Sequence, residues 1–130
     1  MPGANASQQS VVDAAHATGS PGGGLCAAWV SNVFSNAGYG FVGGNADDMY
    51  RRWCHSSDKS QLKVGMIVAV DYHEHTVAGR SYGHVGIYVG NGQVMHNIGT
   101  IETWSLDEWI NYYGAWHTVR WGWLGGTDLS

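Results

Sequence analysis

Three residues of this 130-residue chain have types and spacing that could do chemistry together, and Cys26 is the first of them. It follows a glycine-rich run, residues 19–24, and opens an apolar segment that is expected to be a helix. A helix N-terminus presents unpaired N–H groups and a positive dipole end, so we expect a lowered pKa for a thiol there. The Cys26 N–H is also a natural oxyanion donor. A structural cysteine on a core helix is the alternative unless a base lies nearby.

His84 is the candidate base. The sequence of residues 82–89 (YGHVGIYV) predicts a strand whose alternation turns Val85 into the core and leaves His84 on the other face. Gly83 and Gly86 are small neighbours that leave room for close packing of a helix or a substrate. A cysteine and a histidine that are far apart in sequence but meet in space are what a thiol hydrolase needs.

His96 is the candidate that orients the base. An Asn-Gly pair at 91–92 lies between two apolar runs, a strong signal for a hairpin. The turn would set Ile87 opposite His96, give or take a bulge, and so place His96 one register step from His84. A polar ring in that position can orient a catalytic base. Asn97 is the competing orienter.

A metal site is a rival use of the other polar residues. Cys54 and His55, together with His73 and His75, could supply ligands of the type that zinc prefers. Residues 72–81 instead predict a polar hairpin loop that could form one wall of a substrate cleft, and no metal is expected. The two cysteines lie in different surroundings, so separate thiols are favoured over a disulfide.

The elements that must position these residues follow from periodicity and capping signals. Helices are predicted over residues 8–18, 25–37, 46–53 and 105–113, and strands over residues 64–72, 82–89, 93–98 and 117–124. Asn45 can cap the third helix, and Ser105 with Glu108 forms a capping box for the fourth. Helices first, then an antiparallel sheet with one inserted helix, make an α+β fold.

Composition excludes several classes of protein. Hydrophobic residues make up 44% of the chain, with seven Trp and seven Tyr, which indicates a folded domain. Charged residues are 12% and the net charge is −4, so no nucleic-acid partner is expected. No stretch has the length of a membrane-spanning helix, and no signal-peptide pattern is seen, so no membrane insertion is expected. We predict a tail or linker over residues 1–10, one domain over residues 11–124 and a tail over residues 125–130.

Three blocks of sequence resemble the NlpC/P60 family of bacterial cell-wall cysteine peptidases. Residues 83–96 (GHVGIYVGNGQVMH) are similar to the block that begins with the catalytic histidine of the family. Residues 24–34 (GLCAAWVSNVF) resemble the nucleophile block, although Leu25-Cys26-Ala27-Ala28 stands where the family usually has Asp-Cys-Ser-Gly. Residues 62–70 (LKVGMIVAV) resemble the strand that leads to the histidine. The blocks occur in the order found in the family.

The resemblance implies a papain-like α+β fold, with N-terminal helices packed on a central antiparallel sheet that has one inserted helix. It implies that Cys26 is the nucleophile, His84 the base and His96 the orienter. The reaction implied is hydrolysis of an amide in peptidoglycan stem peptides through a Cys thioester, without a metal or other cofactor. Substrate contacts are expected at Tyr82, Gly83, Asn97 and Trp29.

The resemblance leaves the bond that is cut open. An endopeptidase is favoured, while the related CHAP family suggests an N-acetylmuramoyl-L-alanine amidase, and a non-catalytic cell-wall-binding homologue is the third option. Arg80 or the Arg51–Arg52 pair are the candidates to recognise stem carboxylates. An extracellular or cell-wall location is expected, with the chain acting as a monomer or as part of a larger multidomain protein.

Overall fold

The computed structural model describes residues 3–130, and its architecture is the α+β arrangement predicted from the sequence. Five strands form one antiparallel sheet in the order β4-β3-β2-β1-β5. The helices are α1 (Ala6–Ala17), α2 (Cys26–Asn36), α3 (Ala46–Trp53), α4 (Val77–Tyr82) and α5 (Leu106–Tyr113). The strands are β1 (Ile67–Val70), β2 (His84–Gly90), β3 (Gln93–Asn97), β4 (Ile101–Ser105) and β5 (Arg120–Gly122).

The sheet is covered on both faces. On one face α1, α2 and α3 pack over the odd-numbered side chains of β2, among them Val85 and Ile87, with Trp29 of α2 fully buried. On the other face α5 contributes Trp109 and Tyr113 to a second apolar cluster with side chains of β1 and β3. Burial of apolar surface on both faces therefore fixes the sheet between a three-helix layer and a single helix.

Local signals place several helix ends. Ser105 accepts a hydrogen bond from the N–H of Glu108 at 3.1 Å, and the Glu108 carboxylate accepts from the Ser105 N–H at 3.3 Å, the predicted capping box. The Asp48 carboxylate accepts from the N–H of Asn45 at 3.0 Å, at the start of the predicted helix α3. These pairs satisfy backbone donors that a helix N-terminus leaves unpaired.

Two elements depart from the sequence-based expectation. Residues 72–81 were expected to form a loop, but α4 begins there, because the Thr76 hydroxyl caps it by accepting from the N–H of Gly79 at 2.9 Å. The sheet also contains β4, an edge strand whose half-exposed residues lack the apolar alternation that marks a strand. Two helices, rather than one, are therefore inserted between strands.

Some described residues near the two ends, within residues 3–10 and 125–130, contact each other or the rest of the domain. Helix α1 begins at Ala6, and Gln8 in its first turn is buried. The side-chain amide of Asn5 donates to the carbonyl of Leu129 at 2.7 Å, and Leu129 is itself buried. Among the described residues, no helix combines the length and the apolar character needed to cross a bilayer.

The hairpin formed by β2 and β3 contains a β-bulge, which the prediction from the sequence allowed. Gly90 pairs with Gln93 as predicted, but the register shifts between Tyr88 and Gly90, so that Gly86, and not Ile87, lies opposite His96. The observed register differs by one residue from the pairing without a bulge, because a bulge adds one residue to one strand of the pair, and the prediction allowed for this. The shift leaves His84 and His96 on the same face of the sheet.

Candidate active site

Cys26 is the first residue of α2 and lies against the sheet beside β2. Its side chain is half-buried, and backbone N–H groups of Val85, Ala27 and Cys26 itself are directed at the sulfur. Val85 is the neighbour of His84 in β2, and both Cys26 and His84 line one cavity. The fold therefore brings the predicted nucleophile and the predicted base to the same cleft.

The pKa of the Cys26 thiol differs from the sequence-based expectation. Burial raises the pKa above its ordinary value, and the hydrogen bonds from the N–H groups of Val85, Ala27 and Cys26 offset only part of that rise. The prediction of a lowered pKa was wrong, because it weighed the helix terminus without the burial of the sulfur. The thiol is therefore protonated at neutral pH and needs a base to become a nucleophile.

His84 is held where β2 begins. Gly83 precedes it with φ of +74°, and a Cβ at that position would overlap the Val70 carbonyl. The His84 ring stacks on Tyr113 of α5 with centroids 4.4 Å apart. Burial, followed by the neighbouring His96 and His73, lowers the pKa of His84 well below its ordinary value. The base is therefore neutral at rest.

His84 and His96 are hydrogen-bonded. The Nε2 atom of His84 lies 2.8 Å from Nδ1 of His96, and both rings are buried. Gly86 makes this possible, since a Cβ there would lie 2.7 Å from the Met95 carbonyl oxygen and 3.1 Å from the His96 Cβ. The pairing predicted from the hairpin is thus present through His96, while Asn97 has no hydrogen bond to His84.

The contact with Trp109 shows which ring of the His84–His96 pair carries the shared proton. Its Nε1–H lies 3.3 Å from the same Nδ1 of His96. An indole N–H can only donate, so Nδ1 of His96 is an unprotonated acceptor and the shared proton belongs to Nε2 of His84. A neutral His84 that carries its proton on Nε2 has a free lone pair on Nδ1. That tautomer is the one a general base requires.

His96 is a neutral ring in an apolar setting. Burial lowers its pKa to about 4, although the charge of Glu102 acts in the opposite direction. Its Nε2 is buried and has no hydrogen-bond partner among the described residues, and the ring lies edge-on to Trp104 at 4.5 Å. With Nδ1 accepting, the proton of the neutral ring sits on Nε2.

The cavity between α2, α3, α4 and β2 has a volume of about 350 Å³. Tyr82 and Gly83, both predicted substrate contacts, line it together with the exposed Phe41. None of the described residues that line it is charged. Arg51 instead pairs with Asp47 and Asp48 of its own helix, and neither Arg80 nor Arg52 lines the cavity.

Asn97 braces the loop that precedes Cys26. Its side-chain oxygen accepts from the Ser20 hydroxyl at 2.7 Å and its amide donates to the carbonyls of Gly22 at 2.9 Å and Leu25 at 3.3 Å. Asn97 lines the cavity, but these bonds occupy the polar atoms that were expected to meet substrate. The geometry gives it a positioning contact with the nucleophile loop.

Trp29 was expected to contact substrate, and the structure contradicts this. The side chain is fully buried in the core, and its indole N–H donates to the Thr18 carbonyl at 3.0 Å. It does not line the cavity. Its position in the apolar stripe of α2, on the face that meets the core, is the physical reason.

The alternative metal ligands do not converge. Cys54 is a free thiol in the core, and burial raises its pKa to about 12. His55 is hydrogen-bonded to the Arg52 carbonyl, and His75 to the Tyr112 carbonyl. Within residues 3–130, no group of three or more His, Cys, Asp or Glu side chains is arranged to hold a metal ion. Both cysteines are free, as the sequence predicted.

A comparison with known protein families shows which family the chain belongs to. The NlpC/P60 family profile matches residues 15–121, most of the chain. The chain belongs to the NlpC/P60 family. This membership supports a cell-wall peptidase type of function in general. No curated protein matches the chain.

Solved structures of NlpC/P60 proteins share the fold. A protein similar to lipoprotein of the NLP/P60 family from Staphylococcus aureus subsp. aureus Mu50 superposes with a TM-score of 0.68 at 19% identity, covering 90% of this chain and 41% of that one. NlpC1 from Trichomonas vaginalis gives 0.63 at 18%, with 95% and 45% covered, and NlpC2 gives 0.66 at 17%, with 95% and 48% covered. The chain thus spans less than half the length of each of these proteins.

The candidate site contains three residues that the sequence did not predict there. Trp109 and Tyr113 of α5 were assigned only to a helix, yet they contact the two histidines. His73 was assigned to a loop, but it is buried in the cavity wall. The spacing of Trp109 and Tyr113, four residues apart on one helix face, is the signal that could have paired them.

Proposed function

We propose that this NlpC/P60 domain is a peptidoglycan hydrolase that cleaves an amide of the stem peptide, an endopeptidase with Cys26 as nucleophile. The observation that carries the proposal is the 2.8 Å contact between Nε2 of His84 and Nδ1 of His96, in a cavity that Cys26 also lines. A buried polar pair of this kind, beside a half-buried thiol, is suited to proton transfer and not to structure alone.

The reaction divides into two acyl transfers. Nδ1 of His84 takes the thiol proton as the Cys26 sulfur forms a bond to the carbonyl carbon of the scissile amide. The tetrahedral intermediate collapses to a thioester when the C–N bond breaks and His84 gives that proton to the leaving amine. Water, deprotonated by the same ring, then hydrolyses the thioester and restores the thiol. His96 keeps the His84 ring in the required tautomer throughout.

Cys26 and His84 are both uncharged in the resting protein, and this determines when the proton is transferred. The thiol has a raised pKa and His84 a lowered one, so both are uncharged before substrate arrives. Proton transfer must therefore accompany attack on the carbonyl and cannot precede it as a stable ion pair. The Cys26 N–H at the start of α2 is directed at the sulfur in the resting protein, and in the proposed reaction it donates to the oxyanion instead once the sulfur is bonded to carbon.

The setting proposed for this activity is the cell wall or the extracellular space. Membership of the NlpC/P60 family, whose proteins act on cell walls, supports this setting.

Digestion of defined muropeptides, followed by mass spectrometry of the products, tests the proposal. An endopeptidase releases a new peptide amino terminus within the stem, whereas an amidase separates the intact stem from the amino sugar. We expect the first pattern from the parent chain and none from Cys26→Ala. Intact muropeptides after prolonged incubation with a folded parent would overturn the enzymatic proposal in favour of a binding module.

A further inference from the structure

His73 is a buried histidine of the cavity wall that the proposed reaction does not use. Only 3% of the residue is exposed, and it lines the cavity together with Cys26 and His84. Its ring lies edge-on to the ring of His84, with centroids 6.1 Å apart. A buried titratable side chain so close to a proton-transfer pair needs a physical explanation.

The ring of His73 is held in one place. Its backbone N–H donates to the Gly79 carbonyl at 3.1 Å, and a Cβ on Gly79 would overlap the ring itself. Tyr113 packs against it edge-on, with centroids 5.0 Å apart. The first turn of α4 and the end of α5 therefore clamp the imidazole, and the absence of a side chain at Gly79 is what makes room for it.

The same contacts fix its proton. Nδ1 of His73 accepts a hydrogen bond from the backbone N–H of His75 at 3.1 Å. A ring nitrogen that accepts cannot carry a proton, so the proton of the neutral ring sits on Nε2. Nε2 forms no hydrogen bond with any described residue. His73 lines the cavity, so a ligand bound there could accept a hydrogen bond from this N–H.

The position of His84 indicates which part of a substrate lies beside this donor. In the proposed reaction His84 protonates the leaving amine, so the residue that follows the scissile bond must lie on the His84 side of the cleft. His73 lies on that side, next to His84. Its neighbours in the cavity wall include no charged side chain among the described residues, which favours an uncharged acceptor over a carboxylate.

We propose that the Nε2–H of His73 donates a hydrogen bond to a carbonyl oxygen of the substrate, on the residue that leaves with the amine. This assignment rests on the proposed peptidoglycan hydrolase function and adds a substrate-binding residue to it. His73 thereby selects a leaving group that is itself a peptide residue. Burial, and the charge of His75, lower the pKa of His73 to about 4, so the donor stays neutral at the pH of the assay.

Two variants of His73 distinguish the effect of its N–H donor from the effect of the shape of its ring. His73→Phe keeps an aromatic ring against Tyr113 and Gly79 but removes the N–H. His73→Gln restores an N–H donor at a similar reach. His16→Phe, at an exposed position of α1 that does not line the cavity, is the matched control. Each is assayed on the muropeptide that the parent cleaves, and on an analogue whose leaving amine lacks the carbonyl group.

We expect His73→Phe to lower kcat/KM on the muropeptide by roughly tenfold to a hundredfold, because the carbonyl oxygen of the substrate loses its hydrogen-bond donor. His73→Gln should recover part of this loss. On the analogue the parent and His73→Phe should be equal, because the bond is already missing. Alkylation of Cys26 by iodoacetamide should proceed at the parent rate in both variants, and His16→Phe should match the parent throughout.

The outcomes distinguish the two proposals. A parent that cleaves no muropeptide overturns the proposed function, and the inference with it. A parent that cleaves, with His73→Phe equally active on the muropeptide, overturns the inference alone. An equal loss on muropeptide and analogue, unrelieved by His73→Gln, would mean that His73 only supports the fold, and this also overturns it.

Discussion

The indole N–H of Trp109 and the Nδ1 atom of His96 lie 3.3 Å apart in the buried space between α5 and the sheet. Because the indole can only donate, this contact decides that His96 accepts and that His84 carries its proton on Nε2. The side chain of Trp109 on α5 thus sets the tautomer of His84 on β2, and it leaves Nδ1 of His84 unprotonated in the cavity that Cys26 also lines.

Replacing Trp109 with Phe tests that relationship. The ring stays in the core, but the donor is lost, so His96 can protonate Nδ1 and donate to His84, which moves the His84 proton to the wrong nitrogen. We expect kcat to fall by about fivefold or more, as for one neutral hydrogen bond of ~1 kcal/mol. Trp104→Phe is the matched control, since its indole N–H bonds only to the exposed Glu102. Equal activity of the two variants, both folded, would refute the tautomer argument.

The two histidines should respond differently to substitution. His84→Ala is expected to be nearly as damaging as loss of the nucleophile, because the two groups act as one proton-transfer unit. His96→Ala should retain measurable activity, with a loss of roughly tenfold to a hundredfold for the unpaired buried donor. His96→Asn or His96→Asp should recover part of it, since either can accept from His84. The kinetics would contradict the assignment if His96→Ala were as inactive as His84→Ala.

The dependence of kcat/KM on pH follows from the shifts in the pair. His84 must be neutral and its pKa is lowered from 6.5, so the acid limb should lie below pH 6.5. The Cys26 thiol has a pKa raised from 9.0, so the alkaline limb should lie above pH 9. A broad plateau between these limits is expected, with slow alkylation of Cys26 at pH 5. Fast, pH-independent alkylation at pH 5 would indicate a preformed thiolate–imidazolium pair instead.

Stability should fall on the acid side of neutrality. The folded-state pKa values of His73 and His96 are about 4, below the 6.5 of the unfolded chain, and that of His84 is lowered as well. The unfolded chain therefore binds protons first, and stability present above pH 6.5 is lost as pH falls from 6.5 towards 4. Each such histidine contributes a slope of up to about 1.4 kcal/mol per pH unit. Urea unfolding between pH 7 and 5 measures it, and His96→Asn should reduce the slope. A flat profile would contradict the neutral buried histidines.

The sequence predicted most of the architecture because its signals are local. Apolar periodicity and capping residues indicated the first three helices and α5, and the Asn-Gly turn at 91–92 indicated the hairpin that joins the two histidines. Helix α4 was missed because it is only six residues long and includes Gly79, and β4 because an edge strand needs no apolar alternation.

The candidate site was predictable only in part. Motif and spacing indicated Cys26, His84 and His96, but the contact of Trp109 with His96 and the burial of His73 depend on packing between distant elements. The direction of the pKa shift at Cys26 was missed for the same reason. A helix N-terminus is visible in the sequence, whereas the desolvation that outweighs it appears only once α2 packs on the sheet.

The measurement that tests the central claim most directly is hydrolysis of the cleaved muropeptide by Cys26→Ala, with Cys54→Ala as its matched control. Both variants remove one sulfur, but Cys54 is a core residue away from the cavity. With the fold of each verified by circular dichroism and thermal unfolding, we expect Cys26→Ala to have only background activity and Cys54→Ala to keep nearly all of its activity. A folded Cys26→Ala that cleaves at the parent rate would contradict the account.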